Sequence, residues 1–268
     1  MTGRSLHDAL LRVLTSAALR EALAASGRDG ALETAVGAEE TAVLRGADRE
    51  RLGRLARFMG RHFYRERIVR LFAASRALAR RRGVDPLALL HEPAFDTLLE
   101  AAEVGSVGTA DRLAGRVEAC LLAALGDLPW GRDLVAYEGV LFRAEAGPRC
   151  WGDGGAAGDV PARSASVRIC ALDWDVTGVV AAVRRGAAEP PVPPRGPTRL
   201  LVALSPDGRV TTARATDAVE RLLAALDGVR PTAQVARALG LAEPDVSRAL
   251  AQLATVGAVE WRGRAPAA

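Results

Sequence analysis

Lysine is absent from this sequence, so arginine supplies all 36 of its basic residues. The sequence pI is near 9.6, yet the formal net charge is only +4 and the arginines are scattered along the chain. A surface that binds nucleic acid needs positive charge clustered on one face. The charge distribution therefore gives little support to nucleic acid as a partner.

Cysteine and histidine are scarce, and their spacing does not suggest a metal site. A structural zinc site takes about four ligands at close spacing. The chain has no CxxC pair, and its cysteines and histidines lie far apart: Cys120, Cys150, Cys170, His7, His62 and His91. We therefore expect no metal site, no cofactor and reduced thiols, as is usual in the cytosol.

Long apolar runs are also missing. No stretch reaches the ~20 apolar residues that a membrane-spanning helix needs. The opening segment MTGRSLHDALLRVL lacks the apolar region and small-residue cleavage site of a secretory signal. These absences predict a cytoplasmic protein with no membrane partner.

What the sequence has in quantity is aliphatic residues at helical spacing. Hydrophobic residues make up 49% of the chain and aromatics only 4%, so its core consists mostly of Leu, Val and Ala. Helical periodicity runs through residues 1–147, with Ser5 and Asp48 as N-caps. The segment 46–83 is long for one globular helix, and we expect it to break near Gly60.

The composition changes after residue 147. Residues 148–198 form a Gly- and Pro-rich junction, predicted to begin as a loop and to contain one short strand and one helix. Residues 199–268 read as a hairpin around Pro206-Asp207-Gly208, three helices, the first capped by Thr216 or Asp217, and a closing strand. The predicted fold is mainly α, of the α+β class: a helical N-terminal domain followed by a small winged-helix-like α+β domain.

The last segment contains the outline of a helix-turn-helix, TAQVARALGLAEPDVSRALAQL at 232–253, with Gly240 in the turn. DNA-reading versions insert the start of the second helix into the major groove. Here that start carries Glu243 and Asp245, which duplex phosphates would repel. A winged helix-turn-helix transcriptional regulator remains the alternative function.

The sequence shows no nucleophile elbow, phosphate-binding glycine loop or HExxH motif. Asp173 and Asp175 would share one face of a strand and could form an acid–base pair. A solvated strand face is the simpler interpretation, and we expect the protein not to be an enzyme.

Two phrases, ERLLAALDGVRPTAQVARALGL and VSRALAQLATVGAVEW, resemble the PqqD-like peptide-recognition domains of peptide natural-product pathways. The resemblance implies that the leader segment of a precursor peptide adds as a strand to a sheet edge beside the third helix. Arg209–Arg214 is then the receiving strand. The implied peptide-binding residues are Val210, Thr211, Thr212, Val246, Arg248, Ala249 and Gln252.

Most of 57–261 further resembles the partner proteins of multinuclear non-heme iron-dependent oxidases, which modify ribosomally made peptides. The phrases are HFYRERIVRLFAASRALARRRGVDPLALLHEPAFDTLLEA, DLVAYEGVLFRAEA and VRICALDWDVTGVVAAVRRG. The resemblance implies a non-catalytic subunit that presents the precursor peptide to the oxidase. Residues 1–50 carry no resemblance, and an uncharacterised oxidoreductase subunit is a further alternative.

Polar and aromatic residues beside apolar helix faces mark a candidate surface for docking the oxidase: Tyr64, Arg65, Arg67, Tyr137 and Glu138. The simpler alternative is a tyrosine whose ring belongs to the core and whose hydroxyl is satisfied at the rim.

Overall fold

A computed structural model describes residues 5–25, 30–146 and 160–263 of the chain. Helices dominate the first two of these ranges. They are α1 (Leu6–Thr15), α2 (Ala17–Ala24), α3 (Gly30–Val36), α4 (Ala38–Arg45), α5 (Arg49–Leu71), α6 (Ala73–Arg81), α7 (Pro93–Glu100), α8 (Val107–Leu125) and α9 (Gly131–Glu145), with a 3₁₀ helix at Pro86–His91.

Strands enter in the third range, where they alternate with short helices. The elements are β1 (Val160–Arg163), β2 (Arg168–Trp174), α10 (Thr177–Arg184), β3 (Arg195–Leu204), β4 (Val210–Arg214), α11 (Asp217–Ala224), α12 (Thr232–Leu239), α13 (Glu243–Thr255) and β5 (Val259–Arg262). They form an antiparallel sheet in the order β2-β3-β4 and an antiparallel pair β1-β5. The predicted fold class, mainly α with an α+β part, is confirmed.

The helix ends follow local hydrogen-bonding rules. Ser5 accepts from the Asp8 N–H at the start of α1, and Asp48 accepts from two N–H groups at the start of α5. Thr216 caps α11. Each cap satisfies N–H groups that the first turn of a helix leaves without partners.

The second half of β3 is buried on both faces of the β2-β3-β4 sheet. Its successive side chains point to opposite sides and so enter two different cores. Leu200 and Val202 pack into the core of the N-terminal helices, together with β2 and α10. Leu201 and Ala203 pack against α11, α12 and α13. One sheet therefore joins the two helical layers. A separate small apolar cluster holds α1–α4 together.

The expected break near Gly60 is wrong. Helix α5 runs without interruption from Arg49 to Leu71 and ends at Phe72. Gly60 is buried, and a Cβ there would lie 2.8 Å from a methyl carbon of Leu99 in α7. The glycine therefore allows α7 to approach α5 closely. None of the described helices is both long and apolar enough to cross a bilayer.

The end of the Gly-rich stretch forms a strand that its composition does not predict. Val160–Arg163 forms β1, which pairs with the closing strand β5. The preceding residues 147–159 lie outside the described ranges. The predicted strand and helix of the junction correspond to β2 and α10.

Candidate functional site

Strand β4 uses one edge to pair with β3, and the hydrogen bonds at its two ends show which residues take part. The Ser205 N–H donates to the Arg209 carbonyl at 2.8 Å, and the Ala215 N–H donates to the Arg199 carbonyl at 2.9 Å. In an antiparallel pair, hydrogen-bonded positions alternate with non-bonded ones. The odd-numbered residues of β4 therefore bond to β3.

The even-numbered residues Val210, Thr212 and Arg214 consequently direct their N–H and C=O groups away from β3. They sit opposite Leu204, Val202 and Leu200 in the register. Within the described ranges, no strand pairs with this outer side of β4. Such an edge is a template for another extended chain.

The opposite edge of the sheet, on β2, is closed at one end. The Asp133 side chain in α9 accepts hydrogen bonds from the backbone N–H groups of Asp173 and Trp174, both at 2.8 Å. A carboxylate that occupies two edge donors blocks strand addition there. Of the two edges of this sheet, β4 is the better candidate for binding an extended chain.

The side chains of β4 face two different layers. Thr211 Oγ1 donates to the Val256 carbonyl at 2.7 Å, at the end of α13, and is therefore held by internal contacts. Thr212 points the other way, with its Oγ1 3.4 Å from the hydroxyl of Tyr137 in α9. Val210 packs against the core on this second side.

A groove of about 420 Å³ lies beside β4 on the side of Thr212 and Tyr137. Its lining residues come from the end of α5, the start of α6, α9, α10 and the β3-β4 turn. They are Arg70, Leu71, Ala73, Tyr137, Leu141, Arg184, Gly208, Arg209, Val210 and Thr212. The sequence does not predict that Arg70 and Arg184 line this groove, because they belong to elements far apart in the chain. Arg209 alone had a local signal, its position next to β4.

The predicted peptide-binding residues of α13 have different exposures. Val246 is buried in the core, so its side chain does not reach a peptide, and Ala249 packs partly against the same core. The apolar periodicity of the helix-turn-helix segment itself places Val246 on the buried side, which agrees with this position and not with peptide binding. Arg248 and Gln252 are exposed, and Arg248 lies 3.3 Å from Asp245.

The prediction of a docking surface needs correction, because three of its residues are buried. Tyr64 and Tyr137 are buried, as the alternative interpretation held, and the Tyr64 hydroxyl accepts a hydrogen bond from the Gly105 N–H at 3.1 Å. Glu138 is fully buried. None of these three side chains presents an exposed docking contact.

The arginines of that set remain at the surface to different degrees. Arg65 is exposed. The Arg67 guanidinium stacks 3.3 Å from the centre of the Phe63 ring and lies 3.8 Å from Glu145. Arg67 is therefore engaged within the chain.

Glu138 joins α9 to the start of α6. Its carboxylate accepts hydrogen bonds from the N–H groups of Ala74 and Ser75, at 2.8 and 2.9 Å, and from the Ser75 hydroxyl. Burial raises the pKa of Glu138 to about 7, although the hydrogen bonds from Ser75 and Ala74 oppose this shift. Its contacts are those of a long-range helix cap.

The candidate acid–base pair does not lie on one regular strand, because Asp173 falls at an irregularity in the register between Leu172 and Trp174 and Asp175 follows the end of β2. Asp175 accepts from the Thr177 hydroxyl at 2.5 Å and forms an ion pair with Arg214. The hydrogen bond from Thr177 lowers the pKa of Asp175. Asp173 is exposed.

The described cysteines, Cys120 and Cys170, are free thiols. Burial raises the pKa of Cys170 to about 11 and also raises that of Cys120. Cys150 lies outside the described residues. Among the residues that the structure describes, no three His, Cys, Asp or Glu side chains are grouped to hold a metal ion.

Comparison with known proteins found no relative whose function could be set beside this geometry. No protein-family model matches the chain, and no curated protein matches it. The β4 edge and the groove beside it are therefore the features from which a function can be inferred.

Proposed function

We propose that this protein is a non-catalytic partner that binds the leader segment of a ribosomally made precursor peptide and presents it to a multinuclear non-heme iron-dependent oxidase. The observation that carries the proposal is the outer edge of β4, with which no strand of the described part of the chain pairs. Three alternate residues there, Val210, Thr212 and Arg214, direct backbone donors and acceptors outward. The oxidase supplies the redox chemistry.

Strand addition suits such an edge, because main-chain hydrogen bonds supply affinity and alternate side chains supply selectivity. The outward groups recur at every second residue of β4, which is the period of an added strand. The groove beside Thr212 and Tyr137 offers room for the side chains that point to that face.

The order of elements supports the resemblance to PqqD-like domains. Strands β2, β3 and β4 precede three consecutive helices, α11, α12 and α13. Gly240 ends α12 with a positive φ of 67°, in keeping with the predicted turn of a winged-helix-like unit. The Thr211 contact to Val256 ties β4 to the end of the third helix.

The surface of α13 gives the DNA-binding alternative little support. Glu243 and Asp245 are exposed in its first turn, where a recognition helix enters the major groove. Arg248, the basic residue nearest to them on this helix, lies next to Asp245. We therefore place the regulator function second, and the predicted cytoplasmic location belongs with the proposed role.

A proline scan of β4 tests the binding edge. Peptides are selected from a random display library against the full chain, and the enriched peptides are titrated against the variants. Val210→Pro and Thr212→Pro each remove an outward N–H and should weaken peptide binding about tenfold. Each variant loses one backbone hydrogen bond to the peptide, and its proline ring clashes with the incoming strand. Both variants should keep their circular dichroism spectra.

Two controls separate the backbone effect from others. Thr212→Val removes the hydroxyl but keeps the N–H, and it should bind nearly as the parent does. Thr211→Pro removes a donor to β3 and should damage the fold instead. If folded Val210→Pro and Thr212→Pro bind every selected peptide as tightly as the parent does, β4 is not the receiving strand.

The oxidase part of the proposal has its own test. The neighbouring open reading frames should encode an iron oxidase and a short precursor peptide. When this chain and that oxidase are expressed together they should co-purify, and modification of the precursor should require both. Modification by the oxidase alone would contradict the partner role.

A further inference from the structure

The groove beside β4 is basic, and its charges come from three separate elements. Arg70 lies near the end of α5, Arg184 at the end of α10 and Arg209 in the β3-β4 turn. Among the described residues no carboxylate belongs to the lining, whose other members are apolar residues, Gly208, Tyr137 and Thr212. An occupant of this groove therefore meets several guanidinium groups and none of the described carboxylates as a lining residue.

The three arginines differ in how far they are neutralised within the chain. Arg184 is exposed and has no carboxylate within ion-pair distance among the described residues. Arg209 pairs with Asp207 at 3.3 Å, but both side chains are largely exposed, so that pair is weak. Arg70 pairs with Glu145, which Arg67 also approaches. The groove thus keeps a net positive charge.

A strand added to β4 would place every second side chain on the groove side of the sheet. This follows from the alternation of side chains, which already sends Thr212 toward Tyr137 and Thr211 toward Val256. Side chains at alternate positions of the bound peptide would then lie near the arginines, while the intervening ones face the α13 side.

We propose that the groove selects acidic peptides: extended segments with Asp or Glu at the alternate positions that face Arg70, Arg184 and Arg209. This inference rests on the proposed function, because the peptide is placed by pairing with the β4 edge. It adds the chemical class of the ligand: the β4 edge pairs with the backbone of the peptide, and the groove beside β4 recognises its acidic side chains. Carboxylates and guanidinium groups form favourable, geometrically specific ion pairs.

Defined peptides test the charge preference. The probes are Thr-Glu, Thr-Gln and Thr-Lys repeats about eight residues long, which span an edge of this length, each carrying a neutral fluorophore. Fluorescence anisotropy with the full chain should give an affinity for the Thr-Glu repeat at least about tenfold above that for Thr-Lys, with Thr-Gln between them. The difference should shrink as salt screens the charges.

Charge reversal at one position assigns the preference to the groove. Arg184→Glu should weaken binding of the Thr-Glu repeat and strengthen binding of Thr-Lys. This residue is chosen because its replacement breaks no described ion pair, whereas Arg70 neutralises a buried glutamate. Arg185→Glu is the matched control, since Arg185 is exposed next to Arg184 but does not line the groove, and it should leave the order of affinities unchanged.

The outcomes separate this inference from the proposed function. If all three repeats bind equally and Thr212→Pro weakens them all, the β4 edge binds peptides without charge selection, and the acidic specificity is overturned alone. If Arg184→Glu weakens Thr-Glu binding but Thr212→Pro does not, the acid binds without strand addition, and the edge mechanism fails. If none of the three repeats binds, both the acidic specificity and the edge mechanism are overturned.

Discussion

At the scale of single residues, Glu138 is the clearest case of a polar group placed by the tertiary structure. It lies on α9, yet its partners are the N–H groups of Ala74 and Ser75 at the start of α6. Phe72, the residue before α6, offers no side-chain cap to these groups. A buried carboxylate from another helix takes that role, and burial raises its pKa to about 7.

This pKa predicts how stability varies with pH. The folded value of about 7 lies above the ordinary value of 4.5, so between these limits the folded protein binds the extra proton. The stability that protonated Glu138 contributes to the fold is fully present below about pH 4.5 and is lost as pH rises through 7. This loss should lower the free energy of unfolding by up to about 3 kcal/mol. Urea denaturation from pH 5 to 8.5 measures this loss.

Glu138→Gln cannot titrate, so its stability should fall less steeply over the same pH range. Glu39→Gln, at an exposed position of α4, is the matched control and should follow the parent. Parallel curves for the parent and Glu138→Gln would contradict the assignment.

At the scale of the elements, the turn between α13 and β5 depends on one glycine. Gly257 has a φ of 79°, and a Cβ there would lie 2.0 Å from the Leu204 carbonyl oxygen at the end of β3. The strand and the turn are therefore in backbone contact, which a side chain would force apart.

Gly257→Ala should lower the free energy of unfolding by about 3 kcal/mol or more, because a left-handed conformation and a clash with backbone act together. Gly240→Ala is the matched control. Gly240 also has a positive φ, 67°, but a Cβ there meets open space, so only the conformational cost of about 1 kcal/mol applies. Thermal denaturation compares the two, and equal losses would argue against the close contact at Leu204.

At the scale of the whole molecule, the β2-β3-β4 sheet couples the two helical layers. Leu200 and Leu201 are adjacent and almost completely buried, yet they belong to different cores. Damage to either core therefore reaches the other through the same strand.

Leu200→Ala and Leu201→Ala should each lower the free energy of unfolding by about 2–5 kcal/mol, the usual loss for a buried leucine. Each variant should still unfold in one transition, with tryptophan fluorescence and far-UV circular dichroism coinciding. Two separated transitions in Leu201→Ala would show that the layers unfold independently and would favour the division at residues 147 and 198.

The sequence by itself determined the local elements, because their causes are local. Ser5, Asp48 and Thr216 cap the helices that follow them, and Pro206-Asp207-Gly208 lies in the turn between β3 and β4, as predicted. Val235 and Leu250 recur at apolar helical spacing within the helix-turn-helix segment, and both lie in the core. A cap or an apolar stripe depends on neighbours within a few residues, so it can be predicted from the sequence.

The tertiary structure alone decided which residues of the β4 edge face outward and which side chains lie beside it. The choice of Val210, Thr212 and Arg214 as outward-facing residues depends on the parity of pairing with β3, since a shift of one residue would reverse it. The pairing of β1 with β5, the burial of Glu138 and the meeting of Arg70 with Arg184 join segments far apart in sequence. No local pattern specifies such contacts, because they arise when distant elements pack together.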